Sequence, residues 1–242
     1  MKPYYQDANC EIYLGDNRVL LPAMPDCDLL LTDPPYGIKV AKHGTIGSLA
    51  KKGHKRKGFA NAAQPTQFGP VKWDDTIPPR WVLDAAMDKT RWQIIWGGGH
   101  MGDMPRATCW LVWDKRNDGV DFSNCEIAWT NLKRAVRIFR WRWSGCLQED
   151  MKNKEQRVHP AQKPVPLISW CLTMAHASGT VIDPWMGAGS TLIAAKMAGV
   201  KAIGIEREER YCEIAAKRLQ EINEPPATPA VMGNSDSATT RA

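Results

Sequence analysis

The stretch TVIDPWMGAGSTLIAAKMAG, residues 180 to 199, decides the fold class of this chain. It starts as a short apolar strand ending at Asp183, turns through Gly187 and Gly189, and enters a helix near Ser190. Glycines allow close approach of a ligand to the backbone, and a helix N-terminus offers free N–H groups. The stretch therefore predicts a strand, a ligand-binding turn and a helix.

The same alternation of strand and helix patterns continues along the chain. Short apolar runs rich in Ile, Val, Leu and Trp predict strands at residues 10–15, 27–32, 91–97, 108–113, 125–130, 135–143, 179–183 and 201–205. Helical patterns cover residues 17–24, 79–89, 164–176, 189–198 and 206–221. This order predicts an α/β fold whose mostly parallel sheet is covered by helices on both faces.

Length and composition bound the domain organisation. The chain has 242 residues, of which 43% are hydrophobic and 24% charged, so it is long enough to bury a sizeable core. This composition excludes a wholly disordered chain, a collagen and a small disulfide scaffold. We predict a single domain at residues 1–221 with a basic insertion at 37–72, followed by a disordered tail at 222–242.

Cysteine usage and the N-terminus indicate the compartment. The seven cysteines include no CxxC pair and no cluster at zinc-ligand spacing, which favours reduced thiols and no metal. The first residues, MKPYYQDANCEIYLGD, lack the apolar run of a signal peptide. No stretch approaches the roughly 18 apolar residues of a membrane span. We therefore expect a cytoplasmic protein that does not contact a membrane.

Positive charge is concentrated in the insertion. The formal net charge is only +6, yet eight basic residues and no acidic ones lie between Pro34 and Trp73. Such a segment favours contact with phosphates, with a solvated loop as the alternative. The predicted phosphate contacts are Lys51, Lys52, Lys55, Arg56 and Lys57. The basic and aromatic stretch from Lys133 to Arg142 is a second candidate, unless it forms a hairpin with one solvated basic face and one buried aromatic face.

A second stretch, LLLTDPPYG at residues 29–37, carries the chemistry. An apolar strand ends at Asp33, and Pro34 and Pro35 stiffen the turn and leave its carbonyl groups free as acceptors. Asp33 and the Pro34 carbonyl are suited to accept both hydrogens of an exocyclic amino group, while Tyr36 stacks on the attached ring. The alternative is a plain turn in which Asp33 caps and Tyr36 packs.

The charges around the glycine turn indicate the cofactor class. Glu206 ends the next strand, about eighteen residues past Gly187, where an acidic side chain can hold ribose hydroxyls. The third small residue of a dinucleotide fingerprint is missing, because Leu192 stands three positions after Gly189. Asp183 also repels phosphate and attracts an ammonium group. This favours S-adenosylmethionine over NAD, with an ordinary strand-turn-helix crossover as the alternative.

Three motifs together resemble the DNA amino-methyltransferases, which modify exocyclic nitrogens of bases. They are DPPY at 33–36, HPAQKP at 159–164 and DPWMGAGST at 183–191, and their order resembles the permuted, beta-type arrangement of that family. The resemblance covers residues 9 to 220. It implies a Rossmann-like methyltransferase fold, with a mostly parallel doubly wound sheet and an antiparallel hairpin strand.

The resemblance also implies roles for individual residues. The catalytic turn is Asp33, Pro34, Pro35 and Tyr36, and S-adenosylmethionine is bound by Asp183, Gly187, Gly189 and Glu206. Asp16 matches an acidic residue near the cofactor adenine, although it is equally suited to cap the helix at 17–24. Lys163 matches a lysine beside the cofactor, although a surface cation fits the local sequence equally well. Trp185 replaces the family's usual Phe, and no separate recognition domain is visible.

The expected activity is methyl transfer from S-adenosylmethionine to N6 of adenine in a base flipped out of double-stranded DNA. The alternatives are a cytosine-N4 methyltransferase, a methyltransferase of RNA or of a protein amide, and a catalytically dead DNA-binding protein. The sequence leaves open whether the protein is a monomer or a homodimer. In a doubly wound sheet Asp183 and Asp33 end neighbouring strands. The run WGGGH at 96–100 is interpreted as a tight turn, and we identify no partner for His100.

Overall fold

The computed structural model describes residues 1–37, 76–118, 123–144 and 147–222. The strands are β1 (Tyr5–Gln6), β2 (Cys10–Leu14), β3 (Cys27–Thr32), β4 (Thr90–Trp96), β5 (Cys109–Asp114), β6 (Cys125–Thr130), β7 (Arg137–Arg140), β8 (Trp143–Ser144), β9 (Leu147–Gln148), β10 (Val181–Asp183) and β11 (Ala202–Glu206). The α-helices are α1 (Asn17–Leu20), α2 (Arg80–Asp88), α3 (Val165–Ala175), α4 (Ser190–Met197) and α5 (Glu209–Gln220). Most of them coincide with the predicted elements to within two or three residues.

Within the described residues the main sheet has the order β1-β2-β11-β10-β3-β4-β6-β5-β7. The five central strands, from β2 to β4 in this order, pair in parallel. Strand β6 runs antiparallel between β4 and β5. The chain order reverses between β10 and β3, and ligands bind beyond the carboxyl ends of the strands at such a switch point. The predicted Rossmann-like α/β fold is confirmed.

Helices bury both faces of the sheet. Alternate residues of β3 point to opposite sides, so that Leu29 and Leu31 join one buried cluster and Leu30 joins the other. The first cluster includes apolar residues of α3, α4 and α5, and the second includes those of α2 and of the 3-10 turn Leu21–Ala23. Helix α4 lies between α3 and α5, and its residues from Ser190 to Lys196 are all buried.

Two predicted elements differ from the structure. The helix expected at 17–24 is α-helical only over α1 and continues as the 3-10 turn Leu21–Ala23, whose Pro22 cannot donate a backbone hydrogen bond. The strand expected at 135–143 is shorter, and β7 pairs in parallel with β5 at the sheet edge rather than forming a hairpin. The reason is that β6 fills the position between β4 and β5, so the following chain must pass to the outer side of β5.

The basic stretch around β7 has the two faces that the sequence suggested. The Phe139 ring stacks on Trp141 at a centroid distance of 6.0 Å and on Trp170 of α3 at 5.3 Å. Arg137 and Arg140 are exposed. This arrangement agrees with a buried aromatic face and a solvated basic face.

The insertion predicted at 37–72 and the tail at 222–242 lie outside the described residues, except for Gly37 and Ile222. The single-domain organisation remains a prediction. No helix in the described part of the chain is long and apolar enough to cross a membrane.

Candidate active site

The ends of β3 and β10 bring the two predicted aspartates to one place. These strands are parallel neighbours, with Ile182 paired to Leu30. The hydroxyl of Thr32, the last residue of β3, donates to the Asp183 carboxylate at 2.7 Å. A cavity of about 230 Å³ opens at this edge and is lined by both Asp33 and Asp183. The adjacency that the topology predicted is therefore confirmed.

The turn after β3 is held by its own side chains and by the segment of glycines that directly follows β4. The Tyr36 hydroxyl donates to Asp33 Oδ1. The Tyr36 ring stacks on His100 with a centroid distance of 5.1 Å and an interplanar angle of 21°. Gly97 has φ +66°, and a Cβ there would lie 2.0 Å from the Tyr36 ring. The segment interpreted as a mere tight turn thus supports the catalytic turn, and His100 does have a partner.

The prolines of the turn have different surroundings. Pro35 lines the cavity, whereas Pro34, between Asp33 and Pro35, is buried. Both lack a backbone N–H, so neither competes as a donor for the acceptors of the turn.

The side chain of Lys163 contacts the turn formed by residues 33–36. This side chain is 8% exposed. The Lys163 ammonium lies 2.5 Å from Asp33 Oδ2 and 2.9 Å from Glu126 Oε2. It also lies 3.5 Å from the Tyr36 hydroxyl. The interpretation as a surface cation is therefore wrong. Lys163 lines the common cavity, as a residue beside the cofactor would, but its charge is paired with Asp33.

Glu126 was missed by the sequence reasoning. It lies on β6 and is also paired with Lys115, whose Nζ lies 2.5 Å from Glu126 Oε1. The available signal was a lone acidic residue in the apolar strand CEIAWT, because an unpaired Glu is almost never buried. Four alternating charges therefore run from Lys115 through Glu126 and Lys163 to Asp33.

Burial and neighbouring charges shift the pKa values in this cluster. Burial raises the pKa of Asp33, and the nearby Lys163 only partly offsets that rise. Burial alone raises the pKa of Glu126, but Lys163 and Lys115 outweigh it and lower this pKa to about 2. Burial lowers the pKa of Lys163, but the two carboxylates more than compensate and raise it well above its usual value. The lysine is therefore charged throughout the physiological pH range.

The loop that carries Lys163 is fixed to the glycine turn. The Ser190 hydroxyl, at the start of α4, donates to the Lys163 carbonyl at 2.8 Å. In the same loop, burial lowers the pKa of His159 to about 3, so the imidazole is neutral. Its Nδ1 accepts from the Ala161 N–H at 3.1 Å, and its ring packs edge-on against Tyr211. The HPAQKP motif thus joins the two halves of the site.

Both glycines of the turn have left-handed backbones, with φ +51° at Gly187 and φ +80° at Gly189. The Gly187 N–H donates to Glu206 Oε2 at 3.1 Å, which orients that carboxylate at the cavity wall. A Cβ at Gly189 would lie 2.8 Å from the Ala215 Cβ of α5. Gly187 therefore shapes the cavity, whereas Gly189 allows α4 and α5 to pack.

Asp183 is more tightly engaged than the sequence suggested. Its carboxylate accepts hydrogen bonds from Thr32, from Thr191 at 2.6 Å and from the Trp185 N–H at 3.1 Å. A carboxylate has about four acceptor positions, so most are used within the protein. Burial raises the pKa of Asp183 to about 6. The expected attraction of a ligand ammonium is thus secondary to joining β3, β10 and α4.

Asp16 acts as the cap that its local sequence allowed. It accepts from the Arg18 N–H at 2.9 Å at the start of α1 and is ion-paired with the Arg18 guanidinium. Asp16 also lines the cavity, so capping does not exclude the position implied by the resemblance.

The predicted DNA contacts Lys51, Lys52, Lys55, Arg56 and Lys57 lie outside the described residues. The flanks of their segment are described, and they meet: a Cβ at Gly37 would lie 3.1 Å from the Ile77 N. Thr76, Ile77, Pro78 and Pro79 line the cavity. The two described flanks of the basic segment therefore lie at or beside the cavity wall.

Comparisons with known proteins agree with this geometry. A family model for N6 and N4 methyltransferases, described as DNA methylase, matches residues 112–217. The Type II methyltransferase M.ScaI of Streptomyces caespitosus is 24% identical over 258 residues, covering 90% of this chain and 84% of the relative. M.HinfI of Haemophilus influenzae is 32% identical over 150 residues, covering 60% of this chain and 41% of the relative. Over these residues the chain is similar to the DNA amino-methyltransferases.

Solved structures support the fold. The PvuII DNA methyltransferase, which is described as cytosine-N4-specific, has a TM-score of 0.56 at 15% identity and covers 92% of this chain and 91% of its own. The M1.HpyAVI–SAM complex has a TM-score of 0.53 at 19% identity and covers 87% of this chain and 100% of its own. At 19% and 15% identity, the likeness shows a shared fold alone.

The residues of the cavity fit S-adenosylmethionine, the predicted cofactor, which the matching family model also supports. Gly187 leaves space where a side chain would point toward His159, 3.4 Å from a Cβ at that position. The Glu206 carboxylate, oriented by the Gly187 and Glu208 N–H groups, retains lone pairs for ribose hydroxyls. Carboxylates at this turn fit a phosphate-free cationic nucleoside and disfavour a dinucleotide.

Proposed function

We propose that this protein transfers a methyl group from S-adenosylmethionine to the exocyclic N6 of adenine in DNA. The observation that carries the proposal is the common cavity at the ends of β3 and β10, lined by Asp33 on one side and by Asp183 and Glu206 on the other. An amino-group acceptor and a nucleoside-binding turn thus face the same space.

The chemical difficulty is the weak nucleophilicity of the amino group, whose lone pair is delocalised into the base. Asp33 and the Pro34 carbonyl would accept its two hydrogens and draw the nitrogen toward a pyramidal geometry. The lone pair is then localised and can be aimed in line, so positioning and fixed charges supply the catalysis. S-adenosylmethionine, when bound, supplies the electrophilic methyl group. Tyr36 and Lys163 hold the Asp33 carboxylate in place through one oxygen each.

Double-stranded DNA is the proposed partner. A target base must leave the duplex to reach a cavity at the end of a sheet, which is the base-flipping solution of DNA methyltransferases. The basic segment that contains Lys51 to Lys57 starts and ends beside the cavity, where its cations are suited to contact phosphates. These residues would position the duplex while the catalytic turn binds the base.

Adenine is proposed over cytosine because the turn reads DPPY, with an aspartate in the first position. Cytosine N4 is the second candidate, since the same acceptors suit either amino group. The test must therefore include both bases.

In the experiment, the purified protein and labelled S-adenosylmethionine are incubated with duplex DNA, with RNA or with a mixture of proteins, in three separate reactions. Mass spectrometry then identifies the methylated nucleosides. We expect N6-methyladenine in DNA. N4-methylcytosine as the product would overturn the choice of base, and label in RNA or protein alone would overturn the substrate class.

Asp33→Ala should lower the transfer rate by at least about 100-fold, the contribution typical of a positioned proton acceptor. Circular dichroism and calorimetric cofactor binding should show that the variant is folded. The matched control is Asp84→Ala, which removes an exposed aspartate of α2 paired with Arg80 and should leave the rate unchanged. Turnover retained in Asp33→Ala would refute the catalytic assignment.

A further inference from the structure

The catalytic aspartate shares its cation with a second carboxylate. Lys163 Nζ lies 2.5 Å from Asp33 Oδ2 and 2.9 Å from Glu126 Oε2. Glu126 is in turn 2.5 Å from Lys115 Nζ. These side chains are largely buried, with exposed fractions of 17% for Lys115, 24% for Glu126, 8% for Lys163 and 18% for Asp33. Two cations and two carboxylates balance, which lowers the cost of burying the group.

Both Asp33 oxygens are already engaged. Oδ2 accepts from Lys163, and Oδ1 accepts from the Tyr36 hydroxyl. A carboxylate has about four acceptor positions, so room remains for the substrate amino hydrogens. How well it accepts them depends on how strongly the ammonium is drawn to it. If Lys163 had Asp33 as its sole carboxylate partner, its full charge would compete with the substrate for the same oxygens.

We propose that Glu126 is a positioning residue that shares the Lys163 ammonium with Asp33 and thereby keeps the Asp33 carboxylate available to the amino group of the substrate. The inference rests on the proposed function, because the acceptor strength of Asp33 matters for activity only if Asp33 binds the amino group of the substrate. Lys115, the residue directly after β5, anchors Glu126, and Trp113 of β5 is paired with Glu126 in register. The contact between β5 and β6 thus extends to the catalytic turn after β3.

The electrostatics around Asp33 agree in sign. Removing the Glu126 charge removes a like charge and also leaves Lys163 wholly to Asp33. Both effects lower the Asp33 pKa and weaken its proton-accepting strength. The charged and titratable groups that act on Asp33 and Lys163 are Tyr36, Glu126, Asp183, His159 and Cys171, and Lys115 and Arg157 act on Glu126.

The first measurement is an NMR titration of the carbon-13 carboxyl signals, which needs neither DNA nor cofactor. In Glu126→Gln the Asp33 pKa should fall by about one unit or more. In Glu126→Asp, which retains the charge on a shorter side chain, it should move back toward the value of the parent protein. The second measurement is the pH dependence of the single-turnover transfer rate. Its acid limb should move to lower pH in Glu126→Gln, and its plateau should fall about threefold to tenfold.

The matched control is Asp7→Asn. Asp7 pairs with the buried Lys196 at 2.8 Å, away from the cavity, so its loss removes a similar ion pair. That variant should leave both the Asp33 pKa and the acid limb unchanged. A folded Glu126→Gln protein with the parental Asp33 pKa and pH profile would overturn the proposal.

Two further results remain decisive. If Glu126→Gln does not fold, the parent protein itself provides the test, because the Asp33 and Glu126 signals should each report the titration of the other. Independent titration would overturn the sharing. If the parent protein transfers no methyl group to any polymer, the proposed function fails, while the NMR titration still decides whether Glu126 controls Asp33.

Discussion

At the scale of single residues, the site depends on groups that hold the catalytic turn from outside it. The Tyr36 hydroxyl donates to Asp33, and the Tyr36 ring stacks on His100. Gly97 makes room for the ring, since any side chain there would occupy its space. The geometry of the DPPY turn therefore depends on a glycine more than sixty residues later in the sequence.

Gly97→Ala should lower both stability and activity. A Cβ at that position would lie 2.0 Å from the Tyr36 ring, and the left-handed φ of +66° adds backbone strain. We expect a loss of about 2–4 kcal/mol in the free energy of unfolding, from strain and overpacking together. The transfer rate should fall about tenfold or more because Tyr36 is displaced. Urea unfolding and single-turnover kinetics measure the two effects.

Gly102→Ala is the matched control, because Gly102 has a similar φ of +72° and no atom within 4 Å of the added Cβ. It should lose only the strain, about 1 kcal/mol, and keep its activity. Equal losses in the two variants would mean that Tyr36 does not depend on the space at Gly97.

At the scale of elements, local patterns predicted most of the strands and helices. Glycine, proline and the change from apolar runs to helical spacing mark their ends, and these signals lie within a few residues of each boundary. Partners across the sheet leave no such local signal. The parallel pairing of β7 with β5 and the pair formed by Lys163 and Glu126 both depend on which strands become neighbours. The sequence therefore predicted the DPPY turn and placed Lys163 at the site, but it did not predict that Lys163 pairs with Asp33 and Glu126.

The junction of β3, β10 and α4 should respond to pH through Asp183. Its folded-state pKa is raised from 3.8 to about 6 by burial, so between these values the folded protein binds more protons than the unfolded chain. Stability contributed by this group is thus greatest at low pH and is lost as the pH rises to about 6. A shift of this size corresponds to about 3 kcal/mol.

Asp183→Asn removes that titration and keeps one acceptor oxygen, for Thr32 or for Thr191, while its NH2 group takes the place of the other oxygen and can donate to the second hydroxyl. The stability of the parent protein relative to this variant should fall as the pH rises from 4 to 6 and then stay constant. Urea unfolding of both proteins at each pH measures the difference, in which the effects of other groups such as His159 cancel. A difference independent of pH would show that Asp183 keeps an ordinary pKa in the folded protein.

At the scale of the whole molecule, the site and the two described flanks of the basic segment lie at the same edge of the sheet. The cavity lies at the carboxyl ends of the central strands, and Gly37 and Ile77 meet at its wall. The segment between them carries eight basic residues and two acidic ones, Asp74 and Asp75, which stand at its C-terminal end. If these cations contact a duplex, as proposed, the affinity for DNA should depend on displaced counterions.

Neutralising Lys51, Lys52 and Lys55 with glutamine should weaken binding to duplex DNA and flatten its dependence on salt. Each lost phosphate contact lowers the slope of log K against log salt concentration by about one, so we expect a change of about two to three. The control replaces Lys2, Arg91 and Lys201, three exposed cations that do not line the cavity, and should leave the slope close to that of the parent protein. Fluorescence anisotropy between 50 and 200 mM salt, the range over which such contacts change affinity most visibly, gives the three slopes. Equal slopes for the two triple variants would assign the DNA contact to another surface, for which the exposed arginines of β7 are the next candidates.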